Sequence, residues 1–263
     1  MINLSEQAIL LTGATGGIGS SVAKLLLEEG AKIILQGRAA DKLEALRSGL
    51  GDNRIELIVG DLSNTVDIAR IAQEAIGLNV TGVINNAGVN EFSLFENANV
   101  ENIININVNG TMLLTQKLLL HFKQIQSNGQ NAFILNVGST FGTIGFPGYV
   151  AYCAAKHAIK GFSEALGREL ADTNITVIYV SPRATSTDMN STAVENLNNE
   201  LGVTMDSPML VARSIVNSLK NQRKRSQLGW TESIQSKLNS LLPGVVDSAL
   251  AKQLPIIKKF ITL

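Results

Sequence analysis

A tyrosine and a lysine that could perform acid–base chemistry stand four residues apart, in the segment Tyr152-Cys153-Ala154-Ala155-Lys156 at the start of a predicted helix. Residues at this spacing project from one face of a helix, so we expect the phenol and the ammonium to be neighbours. A phenol ordinarily has a pKa near ~10, and a nearby ammonium stabilises the phenolate. We therefore expect Lys156 to lower the pKa of Tyr152 towards the range in which a phenol gives or takes a proton near neutral pH.

Further polar residues could complete this site. Ser139 lies 13 residues before Tyr152, at the end of a predicted strand, where its hydroxyl could hydrogen-bond the oxygen of a substrate carbonyl. Asn105, Asn107 and Asn109 lie in an asparagine-rich run, and any of them could instead cap or pack a helix. A Tyr–Lys pair is common on helices, so these additional groups are what give the pattern its weight.

A glycine-rich turn joins the first predicted strand to the first predicted helix. Its sequence is Thr12-Gly13-Ala14-Thr15-Gly16-Gly17-Ile18-Gly19. Glycines let the backbone approach a pyrophosphate closely, and the free N–H groups and the dipole of a helix N-terminus stabilise its negative charge. A glycine-rich turn can also bind nothing, but the position between a strand and a helix favours a dinucleotide site.

The elements that must position these groups alternate along the chain. Apolar runs suited to strands cover residues 8–13, 32–37, 54–60, 82–88, 132–139 and 175–182, and helical segments such as residues 20–30 lie between them. The runs are apolar throughout rather than alternating with polar residues, which is typical of strands covered on both faces. The sequence therefore predicts an α/β fold with a parallel sheet between two helical layers.

The composition excludes several classes of protein. The 263 residues include 22 Lys and Arg against 22 Asp and Glu, so no net charge draws the chain to nucleic acid or an anionic membrane. The single cysteine, Cys153, and the two histidines, His121 and His157, are too few and too scattered for a disulfide or a metal cluster. No apolar run is long enough to span a bilayer, and no signal-peptide pattern is visible. We expect a cytoplasmic protein that binds neither metal nor nucleic acid.

These motifs, in this order, resemble the short-chain dehydrogenase/reductase family. The glycine turn has the family pattern TGxxxGxG, the sequences DL at 61–62 and NNAG at 85–88 follow the third and fourth strands, and Ser139 precedes the Tyr–Lys pair by the family's separation. The resemblance covers roughly residues 6–190. It implies a Rossmann-like, doubly wound parallel sheet of about seven strands with helices on both faces, and a homo-oligomer, either a dimer or a tetramer.

The resemblance also implies roles for individual residues. It gives catalysis to Ser139, Tyr152 and Lys156, and to Asn107, whose Asn-x-x-Gly context matches the asparagine that holds a water-linked proton path to the lysine. Lys156 would also hold the nicotinamide ribose. The cofactor-binding residues that it implies are Thr12, Gly13, Thr15, Gly17, Ile18, Gly19, Arg38, Asp61, Leu62, Asn86, Ala87, Gly88, Tyr152, Lys156, Pro182 and Thr187.

The end of the second predicted strand indicates which dinucleotide is bound. In the family, an acidic residue there favours the ribose hydroxyls of NAD, and a basic residue favours the 2′-phosphate of NADP. This chain has Gly37 and Arg38, and a guanidinium pairs with phosphate through charge-assisted hydrogen bonds. An isolated arginine could also be an ordinary surface charge. The lack of an acidic residue nevertheless favours NADP(H) as the cofactor.

The chain departs from the family pattern after the sixth strand. Arg183 replaces the glycine that usually follows Pro182, and it could contact the cofactor, bind an acidic substrate or form a structural salt bridge. The residues from Thr187 to about Met205 are the expected lid over the substrate.

The C-terminal segment is a second departure. We divide the chain into a Rossmann-fold NADP-binding catalytic domain, residues 1–225, and a C-terminal extension, residues 226–263, whose apolar series is broken by Pro243 and Pro255. The extension could pack on the domain or on a second subunit, cover a hydrophobic substrate, or make a peripheral membrane contact, in that order of preference.

Together these features predict an NADPH-dependent reductase of a ketone or aldehyde, for which a hydrophobic or acyl-type compound is one candidate substrate. One alternative is an NADP-linked alcohol dehydrogenase that uses the same residues in the oxidative direction. Another is a sensor or scaffold that binds NADP(H) without turnover. The intact set of Ser139, Tyr152 and Lys156 argues against this last alternative.

Overall fold

A parallel sheet forms the centre of the molecule. In the computed structural model, which describes residues 1–261, its strands are β1 (Ala8–Leu11), β2 (Lys32–Gly37), β3 (Ile55–Val59), β4 (Gly82–Asn85), β5 (Ala132–Val137), β6 (Ile175–Ser181) and β7 (Arg225–Gln227). Their order is β3-β2-β1-β4-β5-β6-β7, and neighbouring strands are parallel. The strand order reverses between β1 and β4, which opens a crevice at the carboxyl ends of these two strands.

Helices cover both faces of the sheet. They are α1 (Gly17–Glu28), α2 (Ala40–Leu50), α3 (Thr65–Gly77), α4 (Val100–Ile104), α5 (Thr111–Ser127), α6 (Val150–Glu169), α7 (Thr192–Glu200), α8 (Pro208–Lys220), α9 (Trp230–Leu241) and α10 (Pro243–Ile261). A π-helical segment, Asn105–Gly110, joins α4 to α5. The predicted doubly wound α/β fold, with seven strands and helices on both faces, is confirmed.

Two apolar layers explain why the strands are hydrophobic throughout. Successive side chains of a strand point to opposite faces, and both faces are buried here. Ile9 and Leu11 of β1 pack with α1, α2 and α8, whereas Leu10 between them packs with α3, α5 and α6. The sheet can bury both sides only because helices cover it on each face.

The strands end before the polar residues that follow them in sequence. All six predicted strands are present, but β1, β4 and β5 stop two or three residues earlier than predicted. The residues that leave the sheet, 12–13, 86–88 and 138–139, form turns at its carboxyl edge. Helix α1 begins at Gly17, three residues before its predicted start, because the last glycines of the turn form its first helical turn.

The C-terminal extension continues directly from the sheet. Strand β7 spans the boundary placed after residue 225, and the amide of Leu228 still donates to the carbonyl of Ser181 at 2.9 Å. Pro243 begins α10, and Pro255 lies inside this helix rather than breaking it, so the second predicted interruption is wrong. Within residues 1–261, no helix combines the length and the apolar character that a membrane crossing requires.

Candidate active site

The glycine turn after β1 packs tightly against the turn after β4. Gly13 has a φ of +62°, and a Cβ at this position would lie 2.7 Å from the Cα of Ala87. Thr12 Oγ1 accepts hydrogen bonds from the amides of Asn86 and Ala87, each at 3.0 Å. Glycine is therefore required at position 13 by the contacts of the protein itself as well as by its φ.

The start of α1 offers unpaired backbone donors. The amides of Gly17, Ile18 and Gly19 have no hydrogen-bond partner within residues 1–261, and the N-cap residue Gly16 provides no side chain for them. Thr15 and Gly16 are exposed at the tip of the turn. Such a helix N-terminus fits a pyrophosphate, because its donors and its dipole both favour negative charge.

Thr187, at the start of the expected lid, lies beside this helix start. Its Cγ2 would be 3.1 Å from a Cβ placed on Gly17, so a side chain at position 17 would fill the narrow gap between the glycine turn and the lid. The structure thus brings Thr187 to the glycine turn across more than 160 residues of sequence.

Arg38, Asp61 and Leu62 lie after β2 and β3. Arg38 is exposed, and its guanidinium forms no ion pair or hydrogen bond with any described residue. Asp61 Oδ1 accepts from the amide and the hydroxyl of Ser63, at 2.8 and 2.9 Å. Leu62 is buried against Gly110. The contact of Asp61 and Leu62 with the adenine stays a prediction.

The three catalytic candidates converge beyond the carboxyl end of β5. Lys156 Nζ donates to the carbonyl of Val137 at 3.2 Å and lies 5.5 Å from the centroid of the Tyr152 ring. Ser139, just after β5, lies near the Tyr152 hydroxyl and favours its ionised form. Its Oγ also accepts from the amide of Phe141 at 3.2 Å, which caps a short turn of 3₁₀-helix. The sheet and helix α6 therefore place one phenol, one hydroxyl and one ammonium together.

The expected lowering of the Tyr152 pKa is wrong for the groups of the protein alone. Burial raises the pKa of Tyr152 above its ordinary value, and the hydrogen bond with Ser139 offsets this only in part. An apolar environment favours the neutral form of an acid, and here this effect is the larger one. The phenol is therefore protonated at neutral pH, as it already is in water, and it holds its proton more tightly than it does in water.

Burial shifts the pKa of Lys156 in the opposite direction. Its ammonium is buried, and burial lowers the pKa of Lys156 from 10.5 to about 8. Removing a cation from water favours its neutral form. The ammonium therefore lies close to the range in which it could exchange a proton with its surroundings.

Asn107 faces the lysine from the π-helical segment. Its Nδ2 donates to the carbonyls of Val89 and Ile103 at 2.8 and 2.9 Å, whereas its buried Oδ1 has no partner within residues 1–261. A Cβ on Gly88 would lie 2.6 Å from this Oδ1 and 3.6 Å from Lys156 Nζ, so both atoms border the same space. A buried acceptor without a partner is costly unless a ligand or water satisfies it. This geometry fits the predicted water-linked path from the lysine.

Arg183 forms the structural salt bridge that was one of its three predicted roles. Its Nη2 donates to Asp206 Oδ1 at 2.7 Å, and its Nη1 lies 3.7 Å from Glu232 Oε1. Asp206 belongs to the segment after α7, and Glu232 to α9 of the extension. Arg183 thus ties the end of β6, the lid region and the extension together. Pro182, just before it, is buried, and its carbonyl accepts from the amide of Thr140 at 2.9 Å.

Sequence reasoning missed a tyrosine that supports the serine turn. The ring of Tyr179 in β6 occupies the space that a Cβ on Gly138 or Gly142 would need. These two glycines flank Ser139, so Tyr179 fills the room behind the catalytic turn. An aromatic residue in an otherwise aliphatic strand was the visible signal, but its glycine partners lie about 40 residues away in sequence.

The comparisons with known proteins identify the family of the chain. The sequence profile of the short chain dehydrogenase family matches residues 7–198, and the chain belongs to this family. It is 36% identical to nodulation protein G of Rhizobium sp. (strain N33) over 188 residues, 69% of this chain and 74% of that protein. It is 32% identical to the 3-oxoacyl-[acyl-carrier-protein] reductase FabG of Rickettsia bellii over 203 residues, 76% of this chain and 80% of that protein.

Solved structures share the fold over most of the chain. The 3-ketoacyl-(acyl-carrier-protein) reductase from Brucella melitensis, complexed with NADH, has a TM-score of 0.79 and 26% identity over 86% of this chain and 97% of that one. A short chain dehydrogenase from Burkholderia cenocepacia in complex with NADP has a TM-score of 0.77 and 21% identity over 95% of this chain and 99% of that one. The chain is therefore an oxidoreductase of a family that acts on alcohol and carbonyl groups, with a site for a nicotinamide dinucleotide.

The burial of Lys156 makes stability depend on pH. Because its pKa is about 8 in the folded protein and 10.5 ordinarily, the unfolded chain binds more protons between these values, so the free energy of unfolding rises with pH. Burial also raises the pKa of Cys153, whose ordinary value is 9.0, so the thiol opposes this rise in the same pH range, and the raised pKa values of Tyr149, Tyr152 and Tyr179 oppose it increasingly towards pH 10 and above. We therefore expect the contribution of Lys156, measured by urea denaturation as the difference between the wild type and a variant without the ammonium, to rise by about 1.5 kcal/mol between about pH 8 and about pH 9.5.

The control for this measurement is Lys156→Met, which keeps the aliphatic stem and removes the titrating group. It keeps Cys153 and the tyrosines, so their contributions cancel when its free energy of unfolding is subtracted from that of the wild type at each pH. A difference that is flat, or that falls with pH, would contradict the assignment.

Loss of Arg183 should destabilise the protein. Arg183→Met leaves the carboxylates of Asp206, which is 4% exposed, and Glu232 without their cation, and we expect the free energy of unfolding to fall by about 2 kcal/mol. Arg47→Met, which breaks an exposed ion pair with Glu44 on α2, is the matched control and should cost less than about 1 kcal/mol. Equal losses of free energy of unfolding in the two variants would show that the ion pairs of Arg183 stabilise the protein no more than an exposed ion pair does.

Proposed function

We propose that this protein is an NADPH-dependent reductase that converts a ketone or aldehyde to an alcohol. The observation that carries the proposal is the convergence of Ser139, Tyr152 and Lys156 beside the crevice between β1 and β4, where the glycine turn offers unpaired amides. A site that only bound a dinucleotide would not need all three of these groups together.

The protein groups suggest how the cofactor lies along the carboxyl edge of the sheet. The turn from Gly13 to Gly19 would hold the pyrophosphate, and Arg38, Asp61 and Leu62 would lie on the adenosine side. The nicotinamide side would be formed by residues 86–88, Pro182 and Thr187, with Lys156 on its ribose. The unpaired amides of α1, the narrow gap at Gly17 and the unpartnered Oδ1 of Asn107 fit this placement.

Each catalytic side chain has a separate task in the reduction. NADPH, when bound, supplies the hydride that adds to the carbonyl carbon. Ser139 holds and polarises the carbonyl oxygen, and Tyr152 gives its phenolic proton to that oxygen. The Lys156 ammonium stabilises the phenolate that remains, and the path through Asn107 returns a proton to it. Tyr152, Lys156 and Asn107 therefore deliver one proton to the substrate and replace it on the phenol. The hydroxyls of Ser139 and Tyr152 keep the substrate oriented.

The relatives support reduction as the direction of the reaction. Two of the similar proteins are named as 3-oxoacyl-[acyl-carrier-protein] or 3-ketoacyl-(acyl-carrier-protein) reductases, which favours a carbonyl substrate.

The choice of NADPH rests on Arg38. Structural neighbours contain NADH, NADP or NAD, so the fold by itself does not select the cofactor. Arg38 is exposed after β2 and is free of protein partners within residues 1–261, so its guanidinium is available to a 2′-phosphate. Its neighbour Gly37 offers no carboxylate to the ribose hydroxyls.

Replacement of Tyr152 by phenylalanine tests the reaction. Tyr152→Phe keeps the ring and removes the proton, so we expect the loss of a factor of about 10² or more in kcat for NADPH oxidation with a carbonyl panel. The Kd for NADPH, measured by fluorescence titration, should stay nearly unchanged. Substantial residual turnover would contradict the role of Tyr152, and tight NADPH binding with no wild-type turnover would favour a non-catalytic sensor.

Replacement of Arg38 tests the cofactor. Arg38→Gln should weaken NADPH binding about 10-fold to 100-fold, the value of a charge-assisted phosphate contact, while NADH binding stays nearly constant. Arg47→Gln, an exposed arginine on α2 that pairs with Glu44, serves as the control and should change neither cofactor. If Arg38→Gln weakens both cofactors equally, the preference for NADPH has another origin.

A further inference from the structure

A group of aromatic side chains adjoins the catalytic phenol. We define the aromatic cluster as Phe92, Phe141, Phe146 and Tyr149. The rings of Phe141 and Tyr149 lie 6.3 and 6.0 Å from the Tyr152 ring, and Phe141 meets it edge to face. Phe92 and Phe146 extend the cluster outwards, at 5.1 Å from Tyr149 and 5.2 Å from Phe141. A continuous aromatic path therefore leads away from the reacting hydroxyl.

The cluster keeps apolar surface next to the site. Phe92, Phe141 and Phe146 are only half-buried, as is Tyr152, whereas Tyr149 behind them is buried. Half-buried aromatic rings beside a reactive group are the usual lining of a small-molecule site, because a ligand can cover the surface that the protein leaves exposed.

Helix α10 closes the outer end of this path. Ile257 and Phe260, which are 0% and 8% exposed, form one apolar cluster with Leu197 of α7, and Phe92 and Phe146 pack against the same cluster. The two phenylalanines thus belong to both groups: they contact the aromatic residues around Tyr152 on one side and the extension on the other.

The backbone is closely fitted at this junction. Gly148 has a φ of +84°, and a Cβ there would overlap the ring of Phe92 and lie 3.0 Å from Cδ1 of Ile261. The end of α10 therefore approaches the start of the catalytic helix α6 with no room for another side chain.

Polar contacts fix the extension to the segments that surround the substrate. Asn239 of α9 donates to the carbonyl of Thr143, in the loop after Ser139, at 2.9 Å. Lys259 of α10 contacts Glu200 at the end of α7 at 3.2 Å. Glu232 of α9 contributes to the ion pairs of Arg183. The extension is thereby fixed through α9 to the serine loop and the end of β6, and through α10 to the lid helix α7.

The charges near this path favour an uncharged substrate group. The four residues of the aromatic cluster are uncharged, and Arg183, the cation that could attract an acidic substrate, already has two carboxylate partners. An acidic substituent would have to displace Asp206 or Glu232 to reach that guanidinium, at the cost of leaving a buried carboxylate unpaired.

We propose that α10, by packing Phe260 and Ile257 behind Phe92 and Phe146, sets the far wall of the substrate pocket, and that the protein selects neutral carbonyl compounds whose hydrophobic chain or ring runs along the aromatic cluster. The proposal rests on the reductase function proposed above. It assigns to the extension the second of its three predicted roles, covering a hydrophobic substrate, in addition to its packing on the domain.

Changing the size of Phe260 in both directions tests this wall. The substrates are methyl ketones with short, medium and long alkyl chains, and the readout is the ratio of kcat/KM for the long ketone to that for the short one, with NADPH. Phe260→Leu shortens the wall and should raise this ratio about tenfold, whereas Phe260→Trp should lower it by a similar factor, since one methylene in an apolar pocket is worth at least about tenfold. Leu241→Ala, at a 79% exposed position of the same extension, is the matched control and should leave the ratio unchanged.

Opposite shifts in the two Phe260 variants would support the wall, because a general loss of stability changes all substrates in the same direction. Unchanged ratios in active Phe260 variants would overturn the wall and leave the reductase function standing. Calorimetric binding of the same ketones to the NADPH complex gives the same ratio without turnover. A wild type that binds long ketones more tightly but reduces none would therefore contradict only the proposed reaction.

Discussion

The structure depends on the close approach of two turns, one after β1 and one after β4. Thr12 accepts hydrogen bonds from two successive amides of the second turn, and Gly13 lies so near Ala87 that no side chain fits between them. This contact closes the bottom of the crevice at the point where the strand order reverses. The start of α1, with its unpaired amides, and the turn at residues 86–88 are thereby held together.

Burial on the other side of the crevice gives the catalytic groups their character. Lys156 is buried and Tyr152 is half-buried, so the phenol is stabilised as a neutral acid and the ammonium is destabilised as a cation. The two shifts move the proton affinities of the pair apart, because the pKa of the phenol rises and that of the ammonium falls. This environment places a proton donor, Tyr152, beside a cation, Lys156, that can stabilise the phenolate left after proton transfer. Asn107 supplies a hydrogen-bond acceptor, its Oδ1, at the edge of the same space.

Residues of the C-terminal extension pack beside the lid region and the end of β6. Arg183 replaces a small residue at the mouth of the site and pairs with Asp206 and Glu232, so β6, the lid region and α9 share one ionic contact. Helix α10 completes the arrangement by packing Ile257 and Phe260 beside the lid helix. The two departures from the family pattern, Arg183 and the extension, thus lie together in the structure, at the end of β6 and beside α7.

Local sequence determined the strands, the glycine turn and the set of Ser139, Tyr152 and Lys156, because periodicity and short spacings act over a few residues and leave a readable pattern. The strand ends were less predictable, since Thr12 and Ser139 follow apolar runs without a break in composition. Tertiary structure alone decided the sign of the Tyr152 pKa shift, the partners of Arg183, the place of α10 and the π-helical segment that aims Asn107 at Lys156. Each of these depends on burial or on contacts between residues far apart in the chain, and such contacts are set by the packing of whole elements.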